Sequence, residues 1–191
     1  NFNNKSIFYG GNEFRAINIK SLKYKTERVN AIEYLRDGYH VYLFEDQLRN
    51  TGNYVSDDDL NGNFLIKTED EINSATEANY CRIHLRLRAN SQIMNSNIFI
   101  KGKFTEGKTQ SETKMKYDAE TNTFNASFIL KQGYYDYKYF IKDKEGNLSQ
   151  LMTEGSHYET KNEYSIFVYY REPGTIHDQL IGFEKIIGPP N

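Results

Sequence analysis

The chain has 191 residues, with 24 basic and 26 acidic side chains and a formal charge of −2. That balance excludes the basic footprint of a dedicated nucleic-acid binder, and no apolar run approaches the roughly 20 residues that a membrane-crossing helix needs. Sixteen Tyr and twelve Phe, with no Trp, supply large buried area on amphipathic rings and offset a mean hydropathy of −0.77.

The chain opens on Asn1-Phe2-Asn3-Asn4, without an initiator Met or a charged-then-apolar signal segment, and the expectation is an excerpt of a longer protein. Strands are expected over Ser6–Tyr9, Phe14–Tyr24, Val29–Leu35, Tyr39–Phe44 and Asn63–Lys67. The polar, acidic run Glu69–Glu77 then reads as a linker. Period-two alternation is cleanest in Cys81–Arg88: Cys81, Ile83, Leu85 and Leu87 share one face, and Arg82, His84, Arg86 and Arg88 the other. Ile98, Ile100 and Phe104 alternate with Phe99, Lys101 and Lys103. After a turn at Asp118–Asn122, Phe124, Ala126, Phe128 and Leu130 form the inward set of a further strand. Gly133 leads into a tyrosine ladder with Tyr135, Tyr137, Tyr139 and Ile141 on one face, and Lys144-Glu145-Gly146-Asn147 is a hairpin-type turn. Glu163–Arg171, with Tyr164, Ile166, Val168 and Tyr170 on one side, and Leu180–Ile187 complete the series before the polar Gly188–Asn191.

Short strands at this spacing with no convincing helix are the mark of β-sandwiches. The expected fold is all-β, with two immunoglobulin-like or early-set-like sandwich units. Residues 1–75 would be the back half of a domain begun upstream, and residues 78–191 an immunoglobulin-like domain.

Candidate chemistry is sparse. Cys81 lies on an apolar strand face, where a thiol stays protonated, and as a lone cysteine it forms neither an internal disulfide nor a metal cluster. His40, His84, His157 and His177 show no metal-ligand spacing. Asp57, Asp59 and Asn61 followed by Gly62 match the front half of a calcium loop, but Thr68 stands where the bidentate Glu belongs, and an ordinary turn explains the run better. Glu154, Glu159 and Glu163 flank loops without a separation that spacing can set. Arg82, Arg86 and Arg88 could steer an anionic partner or simply keep a sheet face soluble, and Tyr134 is a candidate stacking or partner-contact residue. No catalytic residue, cofactor or metal ligand is expected.

Two resemblances add to this. Ile98–Phe104, Met115 and Leu130–Tyr139 resemble the sugar-binding module of glycogen-branching enzymes and AMP-activated kinase. That family carries tryptophans at its sugar site and this chain has none, so the likeness supports the sandwich more than a sugar. More specifically, Phe8-Tyr9-Gly10-Gly11-Asn12-Glu13-Phe14-Arg15, Asp59–Phe64, Leu130–Tyr137, Glu154–Tyr164, Val168–Arg171 and Asp178–Gly182 together resemble the type IX secretion system plug proteins of Bacteroidetes, in that family's order over nearly the whole chain. The resemblance implies the middle-to-C-terminal portion of a longer secreted protein. It also implies a non-enzymatic, periplasmic role: closing the outer-membrane translocon barrel by protein contact, with that barrel as partner and no small-molecule substrate. A carbohydrate-binding or surface-glycan module is the alternative.

Overall fold

The computed structural model describes residues 9–54, 56 and 58–188. Its strands are β1 (Arg15–Asn18), β2 (Val29–Leu35), β3 (Gly38–Leu43), β4 (Phe64–Ile66), β5 (Tyr80–Arg88), β6 (Asn97–Lys101), β7 (Lys116–Asp118), β8 (Thr123–Lys131), β9 (Gly133–Lys142), β10 (Leu148–Ser149), β11 (Asn162–Tyr170) and β12 (Gln179–Gly188). Two four-residue helices, α1 (Ser74–Glu77) and α2 (Gln110–Thr113), sit in connections. The class is all-β.

Five strands in the order β2-β3-β5-β8-β7 make one sheet. The other, also five-stranded, is organised around β9: its first half is flanked by β1 and β4, its second half by β6 and β10. The inward sets of both sheets meet in one core. Ile83, Leu85 and Leu87 of β5 and Phe124 and Phe128 of β8 pack with Tyr135, Tyr137 and Tyr139 of β9 and Ile98 and Ile100 of β6. Alternation built this directly: every second side chain of β5 is withdrawn from water and the arginines between them stay on the outer face.

The expected division at residues 75 and 78 does not describe the sheets. β1 and β4 pair with β9, and β3 pairs in parallel with β5, so the first third of the chain supplies strands to both layers. The parallel pair requires a crossover, and the chain makes it by leaving β3, entering the β9 sheet as β4 and returning as β5. Nor is Glu69–Glu77 a free linker. Asp70 accepts hydrogen bonds from Ser21 Oγ, Leu22 N and Gln132 Nε2 (2.6, 2.7 and 2.8 Å), which seats the crossover on the body.

Other boundaries move for local reasons. The expected strand Phe14–Tyr24 ends at Asn18, because Ser21 Oγ accepts from the backbone N–H of Lys23 and Tyr24 and turns the chain. Phe104 lies in a short 3₁₀ turn rather than a strand, and packs edge-on against Phe128 and Tyr135. Ser6–Phe8 and the tail beyond Gly188 lie outside the described residues.

Among the described residues β11 and β12 pair only with each other, as a two-stranded sheet in which no residue is buried. Its base is tied to the body by Asn162 Nδ2, which donates to Gly10 O at 2.8 Å.

Candidate functional site

The outer face of the β5 sheet gathers most of the polar side chains singled out above. Parallel register sets His40 of β3 beside Arg82 of β5, and Tyr42 beside His84. Antiparallel register brings Asn125 and Ser127 of β8 alongside Arg86 and His84. A shallow cleft of about 400 Å³ lies here, lined in part by Asn30, Glu33, Tyr42, His84, Arg86 and Asn125. A second depression of about 360 Å³ shares His84 and Asn125 and reaches Lys114 and Lys116.

At the centre is a chain of hydrogen bonds. Asp37 Oδ1 lies 2.8 Å from His40 Nε2, and His40 Nδ1 lies 2.9 Å from His84 Nε2. The carboxylate can only accept, so His40 Nε2 carries the proton. In the neutral pair His40 Nδ1 is then the acceptor for His84 Nε2–H. The rings stack, His40 on His84 at 5.1 Å and His84 on Tyr42 at 4.5 Å between centroids. Desolvation, with the neighbouring His40 and Arg82, holds His84 below the ordinary histidine range, while the His40 hydrogen bond pulls Asp37 down. If both rings were cationic, two N–H groups would point at each other across this contact, so the bond needs at least one neutral ring.

Arg82 is 3.7 Å from Asp37 and Arg88 is 2.7 Å from Glu45. Arg86, Lys114 and Lys116 have no acidic partner within 4 Å among the described residues, and all three are exposed. The arginine row is therefore two neutralised groups around an unpaired one, extended by two lysines from neighbouring chain. Alternation gave the arginines their common face. The His40–His84 contact and the lysines escaped it, because His40 and Tyr42 come within reach only through the β3–β5 pairing. Tyr134 belongs elsewhere: it is half-buried in β9, opposite Asn18 and Leu65, not an open platform.

The acids fall out differently again. Glu154 is fully buried, and the Arg15 and Arg49 guanidinium groups clamp it at 3.0 and 2.7 Å. Arg15 also reaches Asp46 at 2.9 Å, and Asp46 in turn accepts from Tyr137 Oη (2.7 Å), Tyr139 Oη (2.6 Å) and Arg28. Burial by itself would raise the Asp46 carboxyl. Arg15, Arg28 and the two hydroxyls overturn that and hold it below its ordinary value, while desolvation and Asp46 push both tyrosines up. This charged knot ties β1 and the segment after β3 to β9, and its groups are committed to one another. Glu163 instead pairs with Lys185 on the hairpin surface at 2.6 Å. Cys81 is core, its thiol pushed up to about 12 by desolvation.

Asp57 lies outside the described residues. Asp59 uses both oxygens on the backbone, accepting from Phe14 N and Asn61 N at 2.8 Å each. Asn61 and Gly62 both have positive φ (52° and 80°), so Asp59 is the anchor of a tight turn. Asp136 Oδ2 closes the same turn, accepting from Leu60 N (2.6 Å) and Gly62 N (3.0 Å), while its buried Oδ1 has no hydrogen-bond partner among the described residues. Burial pushes this carboxyl up to about 6 against those two bonds.

No protein-family model matches the chain, and no curated protein matches it. A solved structure does: a hypothetical protein from Parabacteroides merdae ATCC 43184 is similar over 98% of this chain, at 33% identity and a TM-score of 0.87. This chain spans 47% of that protein's length. Coverage so nearly complete leaves too few unmatched residues to omit the β11–β12 hairpin. Among the described residues no helix is long and apolar enough to cross a membrane.

Within this fold, segments that carry the plug-family resemblance converge. Gly11 O accepts from His157 N (2.7 Å) and Thr160 Oγ1 (3.0 Å), and Asn12 Nδ2 donates to Glu154 O (2.8 Å). A Cβ on Gly10 would stand 1.9 Å from His157 O, so only glycine fits there. The 59–64 turn hangs from Phe14 N on one side and Asp136 on the other. These stretches hold one another in place, and their first task is to build the fold.

Proposed function

We propose that the chain acts without catalysis, as a contact body of a type IX secretion plug, closing the periplasmic mouth of the outer-membrane translocon barrel. The observation that carries the contact reading is the outer face of the β5 sheet. There Arg86, Lys114 and Lys116 stand unpaired around the Tyr42–His84–His40 stack on a backbone fixed by strand pairing on both sides of β5. Cations presented on a rigid sheet favour an acidic protein surface, through encounter rate and register more than through raw affinity. The resemblance supplies the partner and the compartment: the translocon barrel, in the periplasm against the outer membrane. A stiff two-layer slab suits occlusion of a pore wide enough for folded cargo.

Co-purification of the protein with the translocon is the test. Retention of the wild type, with retention lost on Arg86→Glu together with Lys116→Glu at unchanged fold, supports the reading. Reproducible absence from the translocon, with membrane permeability unchanged on deletion, rejects it.

One observation favours a second reading, a carbohydrate-binding module. The 400 Å³ cleft combines the Tyr42 ring with the side-chain amides of Asn30 and Asn125, the pairing of stacking surface and planar polar groups that a sugar needs. Calorimetric titration with glycans separates the two, since a sugar site gives saturable heat that Tyr42→Ala abolishes.

A further inference from the structure

The β11–β12 hairpin violates the rule that shaped the rest of the molecule. Strand period two gives it two faces. One carries Phe167 and Tyr169 opposite Phe183 and Leu180; the other carries Tyr164, Ile166 and Val168 with Ile186 opposite Tyr164. Phe167 and Phe183 touch, 5.0 Å between ring centroids. Both faces carry clusters of apolar side chains, broken by Glu163, Ser165 and Lys185 on the first and by Glu184 opposite Ile166 on the second, yet Phe167 is 53% exposed, Phe183 52% and Tyr169 61%. A sheet that meets water on one side alternates apolar with polar, whereas a sheet apolar on both sides is covered on both.

The apolar area left open on the hairpin is on the order of 1,000 Å². Split between two opposite faces, that places on each face about as much as the ~300–600 Å² of the largest patch on an ordinary monomer, and the two together match the ~800 Å² that one partner contributes to a standard interface. Beyond the faces, the outer edges of both strands hold no ladder partner among the described residues. An isolated two-stranded hairpin is marginal in water. The pattern is that of an incomplete sheet.

The occupant is indicated by the length of the related chain. The P. merdae protein matches 98% of this chain and is more than twice as long as the match, which spans 47% of it, so more than half of its own chain lies outside the matched region. We infer that β11 and β12 are the seed of a further sheet, completed by β-strands of the same polypeptide lying outside residues 1–191. Those strands pair with an open hairpin edge and lay apolar side chains on its faces. The Glu163–Lys185 ion pair, 2.6 Å, sits toward the base on the Phe167 face, where cover from the added strands thins out. On this inference the hairpin is an intramolecular clasp. It does not depend on the identity of the partner proposed for the β5 sheet.

Hydrogen exchange tests it on two proteins: the 191-residue chain and the full-length P. merdae protein, with light scattering to report oligomeric state. The expected result is that β11–β12 amides of the 191-residue monomer exchange near the unprotected rate while those of β5 and β9 are protected. The matched hairpin in the longer protein should exchange at least ~100-fold more slowly. Equally fast exchange in the longer protein overturns the inference. So does protection in the 191-residue chain: as a monomer it shows the hairpin to be self-sufficient, and as a concentration-dependent dimer it shows the occupant to be a second copy.

Discussion

The two-sheet body and the β11–β12 hairpin are written in the same alphabet, alternating aromatic and branched residues on strands, and meet opposite fates. In β5 one parity is apolar and the other is arginine and histidine, and the structure sinks the first and leaves the second outside. In β11 both parities carry apolar side chains, and neither is buried. The body closes on itself because each strand has one face to hide and a second layer to hide it against. The hairpin has two faces to hide and nothing within the described residues to hide either. Local pattern therefore tells how much cover a strand requires, and a shortfall of cover points to what lies beyond the strand.

That contrast is easiest to break at its strongest point. Asp46→Ala leaves Arg15, Arg28 and two tyrosine hydroxyls without their shared acceptor inside the body. Urea unfolding followed by circular dichroism should show a loss of about 3–5 kcal/mol. A loss under 1 kcal/mol would mean that the charged knot does not hold the two layers together. Matched truncations then compare the regions directly. Phe124→Ala, in the core, should cost about 3–5 kcal/mol, whereas Phe183→Ala, on the hairpin, should move the same transition by less than about 0.5 kcal/mol. Equal effects would place the hairpin inside the cooperative unit.

Acid–base behaviour sharpens the comparison further, because Asp136 and His84, whose shifts fall in an accessible pH range, belong to the body. Asp136 has a folded-state pKa of about 6 against an ordinary 3.8, so the folded chain binds the extra proton. This group's contribution is fully present below the ordinary value and is lost as pH rises toward 6. Asp136→Asn keeps an oxygen to accept from Leu60 and Gly62 and removes the titration, and should be more stable than wild type at pH 7 by on the order of 2 kcal/mol. Unfolding midpoints across pH 4–7 check this, and an unchanged slope would refute it.

The smallest expected effect is at His84, whose folded pKa is depressed. Stability from this group is present above the ordinary histidine value and is lost as pH falls toward the folded one, by less than about 1 kcal/mol. An NMR titration should find the His84 ring neutral at a pH where free histidine is half protonated. The His40 signals should move in the same step, since His84 Nε2–H donates to His40 Nδ1 and the charge arriving on the His84 ring strengthens that bond.

The legible part of the structure is specific. Val29–Leu35 is a strand with the expected bounds, the tyrosine ladder buries Tyr135, Tyr137 and Tyr139 as a set, and Lys144–Asn147 reverses the chain between β9 and β10. Glu69–Glu77 misled because acidic, polar composition resembles a linker, whereas Asp70 is a hydrogen-bond hub facing Ser21 and Gln132. Glu154 misled for a related reason. A lone acid beside Gly155 looks like a loop residue until Arg15 and Arg49 arrive from the other end of the chain.

By itself the order of residues determined the all-β class, most strand positions, the face each side chain takes, and the excess of apolar surface on the last two strands. Those are short-range consequences of a two-residue repeat and of turn chemistry. Tertiary structure alone decided which strands pair, that residues before and after position 75 share both sheets, and that His40 meets His84 and Arg15 meets Glu154. Such meetings depend on register between segments distant in sequence, and register is selected by the burial of whole faces at once, a property no single strand possesses.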